Sequence, residues 1–526
     1  MAAQADRGPS GDALTLDLLA QGPVSRERVT TSWRDSDALR ALATAKRRPL
    51  SAELARAMTE QHRRLGASAA SLANLDRMAR GEAVAAVAGQ QPAPFGGPLF
   101  SLHKTAAAVG LSTAMTRRTG EACVPLFWMH GEDSDFAEIR GMTLSDSLLQ
   151  LRDFTLPESA HVDGGLVGNI PIEPVRTLGE QAFATWRGLP GEDLARVLWT
   201  RSLERSRDLG DAMCALWLAL FAEQGLVVVD PRLPEFRAAA RPILDRYLDR
   251  ADGLHAAARR ASERMEALAG KRALNDAALE SFVFSLTDGC RHKSSARAAR
   301  LAGASQPLSP SVALRPAVQD GVFPTVAMAC GPGEVAYLLE LREVFEGVSV
   351  RPAAPVPRFG ATWLPAAALE LLDAAGCEPW DLVAHTDSVV ARVAEARVPE
   401  ALRRSLAASH EALERSLGEL SERSRAYDAS LPQMVESARG KMDFQLARLA
   451  EGVLAKARGK LDREHPLWRR LRYVLWPGDK PQERRLASLE PVARLGAGVV
   501  SALCEHASEH AMRVADGVHE HYLLEA

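Results

Sequence analysis

Residues 83–105 read AVAAVAGQQPAPFGGPLFSLHKT, and residues 124–138 read VPLFWMHGEDSDFAE. Ala83–Ala88 is a short apolar run bounded by Gly81 and Gly89, the pattern of a strand buried on both faces of a parallel sheet. The loop that follows, GQQPAPFGGP, is rich in turn formers, and the spacing predicts a helix from about Leu99 to Met115. Val124–Met129 is a second buried strand, ending at His130-Gly131-Glu132. Strand, loop, helix and strand in that order make a βαβ unit, so the fold class is α/β with a parallel-sheet core.

Outward from that unit, Leu226–Val229 is a third buried strand, ending in Asp230-Pro231, and a long Arg- and Ala-rich helix covers about 234–271. Residues 288–310 read as exposed loop. Leu314–Gln319, the GPGE turn at 331–334 and a helix from Val335 to about Phe345 form another sheet-to-helix crossing, followed by the Pro-rich connector Arg351–Arg358. Residues 1–80 are mostly helical, with Ser51 capping a run that carries Leu54, Met58, His62 and Leu65. From 385 to 463 the character changes. Leu402, Leu406, Leu413, Leu417 and Leu420, a break at Asp428–Pro432, and then Met434, Met442, Leu446, Leu449 and Leu461 describe an antiparallel helical hairpin. Two lone helices bury little, so a partner is expected, the same hairpin of a second subunit. The expected division is a core over 1–384, the hairpin over 385–463 and a segment over 464–526 that returns to the core.

Composition excludes several classes. The 526 residues carry a net charge of −3, with 47% hydrophobic and 25% charged residues. There is no global basic field for nucleic acid and no apolar run of the roughly 18 residues that a membrane span needs. The first residues lack the basic start and apolar run of a signal peptide. Six scattered cysteines without a CxxC pair fit reduced thiols and a cytoplasmic location.

The chemistry concentrates around the βαβ unit. Gly89, Gly96 and Gly97 permit tight turns and close approach of backbone to ligand, and the helix behind them offers N–H groups to a phosphate or carboxylate. His103 and Lys104 lie one turn into that helix, with at least one expected to face the ligand. Glu132, Asp133, Asp135 and Glu138 crowd four carboxylates beyond the end of a strand, where open parallel sheets bind ligands. They suit a substrate ammonium, Mg²⁺ or general-base work, and equally an acidic helix start. Arg315 and Arg358 suit carboxylate or phosphate recognition. Residues 468–485 interleave Trp and Tyr with basic residues, as a nucleotide site or a solvated face would. Cys504, His506, His510, His519 and His521 crowd the C-terminus, but their spacing matches no structural zinc pattern, and no zinc is expected.

Seven segments occur in one order: GQQPAPFGGPLFSLHKT, VPLFWMHGEDSDFAEI, GLVVVDP, SVALRPAVQD, GPGEVAYLLELREVF, VPRFGAT and LWPGDKPQER. Together they resemble the bacillithiol-biosynthesis cysteine-adding enzyme family from about residue 80 to the C-terminus. The resemblance implies a Rossmann-like core with connecting-peptide inserts and a coiled-coil arm used in dimerisation. It implies a ligase that adds L-cysteine to glucosaminyl-malate in the last step of bacillithiol synthesis, with an adenine nucleotide (ATP or ADP) and room for Mg²⁺. The alternatives are a non-catalytic nucleotide- or thiol-binding homologue and another amide-forming, nucleotide-dependent enzyme. Carried onto this chain, the catalytic candidates are His103, Lys104, His130, Asp133 and Asp135. The substrate-binding candidates are Gln90, Gln91, Glu132, Arg315, Glu334 and Arg358, and the nucleotide-binding ones are Gly96, Gly97, Gln482 and Arg484. One position departs from the family pattern: Ser134 stands where a histidine is usual between the two aspartates, and His130 is the nearest replacement.

Overall fold

In the computed structural model, which describes the backbone of Ala3–Ala5 and residues 12–303 and 306–525, the first apolar run forms β1, Val84–Gln90, buried over all but its last residue. A 3₁₀ turn at Pro94–Gly96 leads into α1, Leu99–Thr119, and the chain returns through β2, Cys123–Met129. Val227–Val229 is β3, and Pro234–Ala269 is the long helix α2. Next come β4, Val283–Thr287, β5, Cys290–Ser294, and β6, Leu308–Pro310. Thr325–Cys330 is β7, Pro332–Glu340 is α3 and Ala354–Pro357 is β8.

The central sheet has the order β8-β7-β1-β2-β3 and is parallel at every pairing. Alternate residues of each strand enter two separate cores. Val84, Ala86, Ala88 and Phe127 pack with α1 on one face. Ala85, Val87, Leu126 and Trp128 pack with α2 on the other. This two-sided burial is what the uninterrupted apolar runs require. β3 is an edge strand, and its outward Val228 N–H is not left open: it donates to His62 Nε2 (3.1 Å), while His62 Nδ1 donates to the Met58 carbonyl (2.7 Å).

Three expectations are corrected. Residues 288–310 are not open loop, because β4, β5 and β6 make an antiparallel sheet in the order β5-β4-β6. Asp288-Gly289 turns the β4–β5 hairpin with φ of 50° and 75°, the left-handed geometry such two-residue turns need. The strand of the following crossing is β7 and not Leu314–Gln319, which opens a helix, Arg315–Val322. The helix expected from Val335 to Phe345 is two, broken at Leu341. The Pro-rich connector itself contributes β8.

Glu400–Arg425 (α4) and Leu431–Glu464 (α5) form the antiparallel hairpin, turning over residues 426–430. Leu417 is the buried residue of α4, and Val435 and Leu461 those of α5. Beyond the hairpin the chain returns to the core, where Val499–Ala515 (α6) packs along α1. None of the described helices is long and apolar enough to cross a membrane.

Candidate active site

β1 is followed by β2 on one side in space, while β7, which arrives much later in the chain, lies on its other side. That reversal opens a crevice beyond the carboxyl ends of β1 and β7, the usual ligand position in such sheets. A cavity of about 730 Å³ sits there. Its floor is Gln90, Gln91 and Trp128, and its walls come from the acidic loop, the β4–β6 sheet and the start of α3.

Lys104 enters this cavity from α1. Its Nζ donates to the Gly89 carbonyl (2.9 Å) and pairs with Glu334 Oε2 (2.8 Å). Glu334 also accepts from the Gly331 N–H (2.9 Å), so the GPGE turn and the lysine are locked together. His130, the first residue past β2, lies over Gly89. A Cβ at Gly89 would stand 2.6 Å from His130 Nε2, so only glycine leaves room for the ring. That Nε2 is shut from solvent and makes no hydrogen bond. Burial, then the charges of Arg315, Lys104 and Arg291, hold the imidazole well below its ordinary pKa. The site therefore presents a neutral histidine with an unused ring nitrogen.

The four acids of the following loop separate into different roles. Glu132 is buried and paired with Arg237 (2.8 Å), its pKa raised by burial. Asp133 accepts from Gln91 Nε2 (2.9 Å) and faces Arg291 Nη1 (3.5 Å). Asp135 is exposed and caps the short helix Phe136–Ile139, accepting from the Glu138 N–H (3.1 Å). Glu138 lines the open side of the cavity, and partial desolvation there, with the nearby Asp135 and Asp133, raises its pKa.

Arg315 also lines the cavity, and it donates to neutral groups, Gln319 Oε1 (3.3 Å) and the Tyr337 hydroxyl (2.8 Å). Arg291 stacks on Phe284, with its guanidinium carbon 3.9 Å from the ring centre. Two guanidinium groups thus face the cavity from opposite elements. Arg358 reaches it too, but is held by both oxygens of Glu483. His103 points away from the cavity. Its Nδ1 donates to the same Glu483 (3.0 Å) and burial keeps the ring neutral; Arg358 and this hydrogen bond from His103 together outweigh the burial of Glu483 and hold it ionised.

Glu483 belongs to a strap, residues 482–488, that returns from the hairpin and lies over the glycine loop. The Leu99 N–H donates to the Leu486 carbonyl (2.6 Å), and Ser488 Oγ donates to the Pro98 carbonyl (2.8 Å). The first turn of α1 is therefore partly occupied by protein rather than wholly open to an anion. Gly96 faces Ser488 and Trp217, and the buried Gln482 side chain clasps the Trp363 backbone, so neither borders the main cavity. Gly97 and the exposed Arg484 line a second cavity of about 730 Å³, with Arg140, Lys480 and Arg485. The two cavities share Gln90, Gln91, Phe100, Glu138 and Arg484.

The structure thus brings Gln90, Gln91, Lys104, His130, Glu132, Asp133, Arg315, Glu334, Arg358 and Arg484 to one cavity, and sets His103, Asp135, Gly96, Gly97 and Gln482 outside it. It adds Arg291 and Tyr337 to that cavity, and Glu483 behind it as the partner of Arg358, which sequence reasoning missed. Arg291 lay in a segment read as loop, and the Asp-Gly hairpin turn was the signal that could have recovered it.

Two family models match the chain. The bacillithiol biosynthesis BshC N-terminal Rossmann-like domain covers residues 28–301 and 296–359, and the BshC C-terminal coiled-coil domain covers 361–514. Relatives named "Putative cysteine ligase BshC" include that of Koribacter versatilis, 29% identical over 86% of this chain and 87% of its own. Those of Solibacter usitatus (29%, 80% and 82%) and Salinibacter ruber (25%, 93% and 92%) are similar along most of their length.

Proposed function

The chain belongs to the bacillithiol biosynthesis BshC family, and on that premise we propose that it is a ligase joining L-cysteine to glucosaminyl-malate, the last step of bacillithiol synthesis. The observation that carries this reading is the convergence of Lys104, His130, Asp133, Arg291 and Arg315 on one cavity at the sheet's switch point.

Amide formation needs an amine freed of its proton, an activated carboxylate and a donor for the charge that develops on the carbonyl oxygen. The neutral His130 imidazole, on the cavity wall, takes the proton as the amine nitrogen attacks. Lys104, held by Gly89 and Glu334, keeps a donor for the developing oxyanion at a fixed place. Asp133, oriented by Gln91 and Arg291, receives the cysteine ammonium. Arg315, whose partners are neutral, and Arg291 take the malate carboxylates. The Glu132–Arg237 pair anchors the acidic loop.

An adenine nucleotide fits the second cavity. Arg140, Lys480, Arg484 and Arg485 give it phosphate-binding character, and Gly97 lets backbone come close. When bound, the nucleotide would supply a phosphoryl or adenylyl group to the cysteine carboxylate, and that group would leave as phosphate or AMP when the C–N bond forms. Glu138, on the shared wall, is the group best placed to hold a Mg²⁺ with it. The hairpin's apolar residues are covered by a second copy in a homodimer, and the protein acts in the cytoplasm on small-molecule substrates.

A strain lacking the gene tests this reading through its low-molecular-weight thiols. Glucosaminyl-malate should accumulate and bacillithiol should vanish. An unchanged thiol profile would sink the proposal.

A further inference from the structure

We propose that Tyr337 touches the acceptor, its hydroxyl forming with the Arg315 guanidinium a two-donor clamp for one acceptor carboxylate. The inference rests on the ligase reading, which supplies the acceptor, and gives Tyr337 a role that the reading leaves open.

The clamp follows from where the cations of the cavity spend their charge. Lys104, Arg291 and Arg358 each face a carboxylate, those of Glu334, Asp133 and Glu483. Arg315 has no such partner among the described residues. Its Nη1 donates to Gln319 Oε1 (3.3 Å) and its Nη2 to the Tyr337 hydroxyl (2.8 Å), so its charge stays uncompensated. A guanidinium in that state on a cavity wall calls for an anion from the ligand.

Tyr337 supplies the second donor. Its oxygen accepts from Arg315, and among the described residues nothing accepts its O–H. The hydroxyl hydrogen rotates to suit its surroundings, and Tyr337 lines the same cavity as Arg315, so this donor is left for a ligand. Burial pushes the phenol above its ordinary pKa, which keeps the proton in place. The bond from Arg315 draws electron density from the oxygen and strengthens the O–H as a donor. Two donors on atoms 2.8 Å apart suit the two oxygens of one carboxylate. Tyr337 also stands on a fixed element. Glu334 and Tyr337 are three residues apart on α3 and share its face towards the cavity. One face of α3 thus holds Lys104 through Glu334 and meets Arg315 through Tyr337.

The test is calorimetric binding of glucosaminyl-malate, methyl glucosaminide and ADP to full-length wild type, Tyr337→Phe, Arg315→Gln and the double variant. Tyr337→Phe should bind glucosaminyl-malate at least about tenfold more weakly. Its affinity for methyl glucosaminide, which has no carboxylate, and for ADP should match the wild type, and ADP binding also reports an intact fold. The double variant should bind glucosaminyl-malate no more than about threefold more weakly than Arg315→Gln, because both donors act on one group. Wild-type affinity for glucosaminyl-malate in Tyr337→Phe overturns the proposal, as does no binding by the wild type. So does a fully additive loss in the double variant, an equal loss for methyl glucosaminide, or a loss for ADP, which would make the anion a phosphate. Amide formation from cysteine is followed separately by mass spectrometry. A coupled clamp without amide keeps the proposal and removes the ligase reading, and amide formation beside wild-type binding by Tyr337→Phe does the reverse.

Discussion

At Gly89 the absent side chain is what lets the His130 ring lie over β1, with Nε2 where a Cβ would stand only 2.6 Å away. Gly89→Ala should therefore push the imidazole out of place. Turnover is expected to fall at least about tenfold while the thermal midpoint changes little, which steady-state kinetics beside a melting curve would check. The same residue predicts a pH dependence. A base must be neutral to act, and burial with Arg315, Lys104 and Arg291 keeps His130 neutral well below pH 6.5. Activity should thus persist into mild acid and be lost only as pH falls through that lowered pKa. Arg315→Gln removes one of the opposing charges, so the acid limb of kcat should move up towards 6.5; an unmoved limb would argue against His130 as the base. At this scale the sequence placed Lys104, His130 and Asp133 together through their position around one βαβ unit. It did not separate His103 from Lys104, since adjacent helical residues point about 100° apart and only packing decides which one meets the cavity.

Single elements show why some of the fold was legible and some was not. β1, α1 and β2 were readable because burial on both faces leaves no polar residue in the strands. β5 reads CRHKS, and those polar residues hid a strand whose Arg291 and Lys293 line the cavity. A strand that builds a polar site loses the apolar alternation by which strands are recognised. Sequence placed His62 on a helix face, but its task at the sheet edge is tertiary. The ring serves Met58 and Val228 as a neutral Nδ1–H tautomer, and burial lowers its pKa to about 4. The unfolded chain takes up that proton near 6.5, so stability is full above 6.5 and declines as pH falls from there to about 4. The contribution of this one group is up to about 3 kcal/mol. His519, also about 4, and His510, about 3, act in the same direction. His62→Phe should remove its share of that pH slope in urea unfolding. It should also cost about 1–3 kcal/mol at neutral pH, because the Val228 N–H loses its acceptor.

Across the whole molecule, the hairpin and the cavity are joined by the strap. Residues 482–488 leave the arm and bind the Trp363 backbone, Arg358, His103 and the glycine loop. The periodicity of the arm was readable because it is local, whereas the strap's contacts span hundreds of residues and leave no periodic trace. Met434, Met442, Phe444 and Leu449 are exposed on α5, apolar side chains that the proposed second copy would cover in part. Replacing Met442, Phe444 and Leu449 by Glu should convert a dimer into a monomer in light-scattering chromatography; an unchanged mass would remove the arm from the interface. The central claim is that the cavity at the sheet's switch point forms a carbon–nitrogen bond with cysteine. Its most direct test is mass spectrometry of purified protein incubated with L-cysteine, glucosaminyl-malate and ATP, beside the His130→Ala protein. The account predicts a product of the two substrates joined with loss of one water, and a kcat at least about a hundredfold lower in His130→Ala with cysteine binding kept. No product from the wild type at saturating substrates, or wild-type turnover by His130→Ala, would contradict it.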